Sequence, residues 1–248
     1  TIYSEGKYVT QDINKAIYYL TIAADLNHSD AQFRLGVIYS EEKDVPINID
    51  KSLHYYNLAA NQKHPKAQFI LGNLYIIGLY VEKNVLKGID YLIQSASNNS
   101  EASFEVGYFY HEGKFVPRDI NKSLSFYKDA SSFNDQCAKN NIGIIYKNGL
   151  GDEIPKNVEI AMIFFDEAIK QQNDMISMYN LAHIFIYETN DKIDQSIDLL
   201  IKSSNQGFAQ AIDLLCIALI KKNGFDIDNI RQEINGNSKL STKICKII

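Results

Sequence analysis

The sequence predicts an all-α fold, an α-solenoid of stacked antiparallel helix hairpins. Three observations predict it. Apolar residues recur with the 3.6-residue period of a helix. A helix, a Gly/Pro/Asx-punctuated loop and a second helix form a unit of roughly 35 residues, and that unit is copied along most of the 248-residue chain. One such hairpin cannot bury its own apolar faces, so it needs neighbours.

The unit is plainest from Ala102 to Ser131. Ala102, Val106 and Tyr110 are spaced i, i+4 and i+8 and fall on one helical stripe. Gly107 lies beside that stripe. A glycine inside a helix costs about 1 kcal/mol relative to Ala, so its place points to the close approach of another helix. Gly113 and Pro117 punctuate the loop. Asp119 follows as an N-cap, a carboxylate that can accept from unbonded backbone N–H groups. Leu124, Tyr127 and Ser131, with Phe126 and Ala130 beside them, give the second stripe.

The copies begin at Ala31, Ala67, Ala102, Ala138, Ser177 and Ala211, at spacings of 36, 35, 36, 39 and 34. Five residues further on stand Gly36, Gly72, Gly107, Gly143, Ala182 and Cys216. Eight further on stand Tyr39, Tyr75, Tyr110, Tyr146, Phe185 and Leu219. In the loops, Gly6, Gly78, Gly113 and Gly149 each follow the Tyr by three residues. Asp12, Asn48, Asn84 and Asp119 follow it by nine. The loop after Tyr146 is two residues longer, so Asn157 takes the Asx role there, and the loop after Phe185 is two shorter. In the second helices a small residue (Ala16, Ser52, Ser123, Ala161) precedes one or two aromatic residues. Ala23, Ala59, Ala96, Ala130 and Ala168 then allow close packing on the next hairpin.

This pattern resembles the Sel1-like repeat, a relative of the tetratricopeptide repeat. Ala67-Gln68-Phe69-Ile70-Leu71-Gly72-Asn73-Leu74-Tyr75 carries the resemblance, as does Lys15-Ala16-Ile17-Tyr18-Tyr19 with Ala23-Ala24. It extends from residue 3 to about 221. The resemblance implies a right-handed solenoid, with first helices lining a concave face and second helices outside. The copies at 177 and 211 depart from the motif, because Ala182 and Cys216 replace the glycine. Residues 1–221 are therefore read as the repeat solenoid and 222–248 as a helical C-terminal cap. Ile227, Ile230 and Ile234 suggest one short helix of that cap, and Leu240, Ile244, Ile247 and Ile248 a second. Thr1 enters just before a Tyr that should end a first helix, so a fragment of a longer repeat protein is expected.

Chemistry is sparse. The five histidines (His28, His54, His64, His111, His183) include no pair three or four residues apart to hold a metal. There is no phosphate loop and no nucleophile elbow. Cys137, Cys216 and Cys245 form no C-x-x-C pair and read as incidental thiols. No enzymatic activity and no cofactor are expected, and a small-molecule ligand is not expected either. A net charge of −5 argues against a nucleic-acid partner. No apolar run reaches the ~18–20 residues of a membrane span, so no integral membrane segment is expected.

What remains is a binding surface. Offsets three, six and ten from each first small residue point away from the core stripe. Arg34, Asn73, Glu105, Tyr108, Asn141, Asn180 and His183 are the candidate partner-binding residues of the groove. Asn can hydrogen-bond a peptide backbone, and Tyr supplies rigid contact area. The expected function is a protein-binding scaffold or adaptor holding a partner protein or peptide. The alternative is a membrane-associated assembly or regulatory subunit, such as a lumenal quality-control adaptor. The expected compartment is the cytoplasm. Three N-glycosylation triplets, at Asn27, Asn98 and Asn121, keep the endoplasmic reticulum lumen or another secretory compartment as the alternative.

Overall fold

Two kinds of Asx and Gly punctuation decide where the helices begin and end. The computed structural model describes residues 12–41, 45–150, 153–189, 191–224, 226 and 229–230. They fall into two units, Thr1–Phe133 and Asn134–Ile248. The first holds α1 (Ile13–Asp25), α2 (Ser29–Glu41), α3 (Ile49–Asn61), α4 (Pro65–Ile77), α5 (Val85–Ala96), α6 (Ser100–Glu112) and α7 (Ile120–Ser132). The second holds α8 (Gln136–Asn148), α9 (Val158–Gln172), α10 (Met175–Ile184), a π-helical turn (Phe185–Thr189), α11 (Ile193–Asn205) and α12 (Gln210–Asn223). Among the described residues there is no strand, only an isolated bridge between Leu150 and Ile154. The fold is thus all-α, in tandem hairpins, as the period predicts.

The expected Asx positions are the N-caps of the second helices. Asp12, Asn48, Asn84, Asp119 and Asn157 are extended, with φ between −138° and −151°. Each side-chain oxygen accepts the backbone N–H three residues on, at 2.9–3.0 Å. In four of them the residue's own N–H donates back to the carbonyl of Tyr39, Tyr75, Tyr110 or Tyr146, at 2.8–2.9 Å. One residue therefore starts the second helix and ties it to the end of the first. Gly78 and Gly113 lie at φ 79° and 68°, the left-handed turn that ends the first helix before that tie.

The turns between hairpins are built differently. Asn27, Lys63, Asn134 and Asn173 sit at positive φ, between 56° and 68°. His64, Asn99, Asp135 and Asp174 then cap the next first helix by accepting the N–H three residues on.

The core confirms the small-residue reading. A Cβ added at Gly36, Gly107 or Gly143 would meet the ring of Tyr56, Tyr127 or Phe165 at 2.5, 2.8 and 2.6 Å. These rings are buried between the two helices of their own hairpins. The α4–α5 hairpin solves the same problem without an aromatic ring. There Gly72 faces Leu92, and Gly88 stands so close that its Cβ would meet the Gly72 carbonyl oxygen at 2.6 Å. Ala16, Ala59, Ala130, Ala161 and Ala168 are fully buried. Ser52 Oγ donates to the Gly36 carbonyl at 2.8 Å, and Ser203 Oγ to the Met175 carbonyl at 2.7 Å, so the small polar residues also pin helix to helix. At the hairpin ends, Tyr39 stacks on Tyr55, Tyr75 on Tyr91 and Tyr110 on Phe126, with centroids 5.9–6.0 Å apart. Lys51, Lys87 and Lys122 lie over the first ring of each pair at 4.1–5.2 Å.

The hairpin after Ser177 departs from the pattern, as its missing glycine suggests. The chain leaves α10 through the π turn, and α11 follows Lys192, an N-cap residue that makes no side-chain cap bond. Lys221 Nζ donates to the Ile186 carbonyl at 2.7 Å, so α12 supplies a partner for backbone in the π turn. Of the expected C-terminal cap, Ile230 is buried at 2% in the cluster formed by α11 and α12. Ile227, Ile234, Leu240, Ile244, Ile247 and Ile248 lie outside the described residues, as do Tyr3 and Gly6 of the first copy.

Candidate functional site

The candidate residues lie on first helices, and the two units present them in different states. In the first unit Arg34, on α2, is exposed. It borders a cleft of about 500 Å³ whose floor includes Leu20, Phe33, Val37 and Ile38. His64 and Lys66, at the start of α4, close one side of the cleft. The His64 ring stacks on Phe33 at 4.6 Å and meets Asp30 at 3.1 Å. Burial nevertheless wins over that carboxylate, and the His64 imidazole is held below its usual pKa.

Asn73 on α4 and Glu105 on α6 are half-buried neighbours on adjacent first helices. Burial pushes the Glu105 carboxyl above the usual carboxylate range, while a hydrogen bond from Asn73 and the charge of Lys114 pull the other way. Glu105 Oε2 is buried without a hydrogen-bond partner among the described residues. Tyr108, one turn further along α6, is 39% exposed. The three residues combine an under-bonded acid, an amide and an accessible ring.

In the second unit Asn141 is half-buried on α8. Asn180 differs from the expected open groove residue. It is only 7% exposed, because two polar neighbours enclose it. Its Nδ2 donates to Asn140 Oδ1 at 3.2 Å, and its Oδ1 accepts from Lys147 Nζ at 3.3 Å. Ser177 Oγ donates to the same Asn140 oxygen at 3.2 Å. Asn180 thus orders the surface around it. His183 is half-buried, and burial first, then Lys147, lowers its pKa. Its ring lies 4.7 Å from Tyr187, which is 48% exposed.

Lys147, Lys156 and Glu188 belong to this surface and carry no repeat motif, so the sequence alone did not select them. No group of three or more His, Cys, Asp or Glu among the described residues could hold a metal. No described helix is long and apolar enough to cross a membrane.

The Sel1 repeat family model matches residues 1–28, 29–64, 65–100, 100–132 and 138–173. The copies at 177 and 211 lie outside those matches, where the glycine is lost and the π turn appears. No curated protein matches the chain. Among solved structures, a protective antigen present in uropathogenic Escherichia coli strains, described as displaying an SLR fold, superimposes with a TM-score of 0.79 at 23% identity over 97% of the chain. The chain spans 53% of that protein's length. A Sel1 repeat protein from Oxalobacter formigenes aligns with a TM-score of 0.69 at 26% identity, covering 83% of this chain and 84% of that one.

Proposed function

Since the chain belongs to the Sel1 repeat family, we propose that it is a scaffold that holds a partner protein or extended peptide on the outward face of its first helices. Sel1 repeat proteins are generally protein-interaction scaffolds on a non-catalytic repeat fold. The observation that carries the reading is Glu105. A half-buried carboxyl with an unbonded oxygen, beside the Asn73 amide and the accessible Tyr108 ring, is a poor choice for stability and a good one for receiving a donor. Peptide N–H groups are such donors, and Tyr is a frequent anchor at interfaces.

Affinity capture from cells that express the protein natively, with mass spectrometry, tests the reading. Wild type should retain stoichiometric protein partners. Tyr108→Ala combined with Asn141→Ala should lose them at unchanged helicity and melting temperature. Equal capture by the double variant would count against this face.

The second reading is a membrane-associated assembly or regulatory subunit in a secretory compartment. Its support is that Asn27, Asn98 and Asn121 are all exposed, as glycan attachment requires. Intact mass of the native protein decides it: glycan mass at these residues favours the lumen, and unmodified asparagines favour the cytoplasm.

A further inference from the structure

A cationic cluster in the second unit gathers around the π turn. Lys147 comes from α8, Asn180 and His183 from α10, Tyr187 and Glu188 from the π turn, and Lys156 from the loop before α9. Lys147 is half-buried, and among the described residues its ammonium makes one hydrogen bond, to Asn180. An ammonium has three N–H donors, so two are left for an acceptor from outside. Asn180 is held in turn by Asn140, whose Oδ1 also accepts from Ser177 Oγ, which fixes where Lys147 points. His183 Nδ1 is buried without a partner among the described residues, and its ring packs against Tyr187 at 4.7 Å and Tyr179 at 6.5 Å. Lys221, from α12, lies over the Tyr187 ring at 5.4 Å and donates to the Ile186 carbonyl.

One anion already sits at the edge of this cluster. Glu188 Oε1 is 2.8 Å from Lys156 Nζ, and its carboxyl is held below the usual range by Lys156 above all, with His183 and Lys147 adding to the effect. The same ionic surroundings that stabilise Glu188 would stabilise a second carboxylate. Burial has removed water from Lys147 and His183, so an incoming anion regains interactions that both have lost. π-helical turns are often found at functional sites, and this one places Glu188 and Tyr187 beside the cations.

We infer that this cluster is a carboxylate-binding site, in which Lys147 and His183 receive a carboxylate of the partner and Glu188 is the chain's own competing anion. The inference rests on the reading of the first-helix face as the partner-binding face, and it names the chemistry recognised there. The carboxylate is an acidic side chain or a chain terminus.

The test is an NMR titration of the whole chain, following the His183 ring C–H resonance, which is identified by its loss in His183→Gln. Sodium acetate, sodium chloride and sodium phosphate are compared at matched ionic strength. Acetate should give a saturable shift and raise the pH midpoint of His183, while chloride should not. Lys147→Met should abolish the response. Glu188→Gln changes an exposed side chain, so the fold should be kept, and it should bind acetate severalfold more tightly because the internal competitor is neutral. A short acetylated peptide with a free terminus, its amidated form and one with an internal Glu then separate the two sources. Acetate behaving like chloride in both wild type and Glu188→Gln overturns the site, and saturation by phosphate alone overturns its assignment to carboxylates. The titration needs no partner protein. Its failure leaves the capture experiment standing, and failed capture leaves the titration standing.

Discussion

Replacing Gly107 by Ala sets two opposed effects against each other. A Gly-to-Ala change in a helix interior gains about 1 kcal/mol of helix propensity. Against that, the new Cβ would lie 2.8 Å from Tyr127 Cδ1 and 2.9 Å from Cε1, where carbon contacts settle near 3.5–4.0 Å. The ring must move by several tenths of an ångström. It has little room, being fully buried, with Phe104 at 5.7 Å and His111 at 6.1 Å between centroids. Overpacking of this kind costs about 1–3 kcal/mol. Gly107→Ala should therefore be destabilising by up to about 2 kcal/mol after the propensity gain is deducted. Gly107→Val, bulkier and β-branched, should cost about 3 kcal/mol. At roughly 2–4 °C per kcal/mol for a chain of this size, melting followed by circular dichroism resolves both. The decisive arm is a Tyr127→Val background, which lacks the δ and ε ring atoms. There Gly107→Ala should change sign and stabilise by about 1 kcal/mol. If Gly107→Ala stabilises the wild-type chain instead, the helices are not in contact at this point and the argument from the glycine fails.

Three further outcomes are expected. Asn84→Ala removes the side-chain cap of α5 and should cost about 1 kcal/mol in urea unfolding, whereas Asn84→Asp should cost much less. His64, His111 and His183 are all held below their ordinary value near 6.5 by burial. The unfolded chain takes up those protons first, so their contribution is intact above pH ~6.5 and is lost as pH falls through the folded values. The His111→Gln/His183→Gln variant should lose less melting temperature than wild type between pH 7 and pH 5, by an amount set by these two groups. Glu105 acts in the opposite sense, because its folded pKa is raised and its ionisation costs stability as pH rises through that value. Glu105→Gln should melt above wild type at pH 8, and the advantage should vanish on acidification; a constant difference would mean that the carboxyl is not the source.

The fold was legible because the helix contacts are made by residues at fixed offsets. Gly36, Gly107 and Gly143 could be read as close approaches before their aromatic partners were known, since nothing else favours glycine inside a helix. Asn48, Asn84 and Asp119 could be read as caps because the capping bond spans only three residues. The same signal exists three residues before four of the six first small residues, in His64, Asn99, Asp135 and Asp174, but there it reads as ordinary loop polarity. Asn99 lies inside the Asn98 glycosylation triplet, yet it is a buried cap at 5% exposure. The surface was less legible. Asn180 has the offset of a groove residue, and it is enclosed by Asn140 and Lys147, an arrangement that only packing reveals. Lys147 and Glu188 matter through charges brought together from different segments, and a linear pattern carries no trace of that.

The longer loop after Tyr146 shows where this architecture tolerates new sequence. Its two additional residues leave the tie between Asn157 N–H and the Tyr146 carbonyl at 2.8 Å, the same as in the shorter loops. Within the same loop Leu150 N–H donates to the Ile154 carbonyl, also at 2.8 Å. Closure of the hairpin is thereby decoupled from the length of what it encloses. The loop between Tyr146 and Asn157 is therefore a natural insertion port: an epitope or a reporter peptide placed there leaves the α8–α9 hairpin its register.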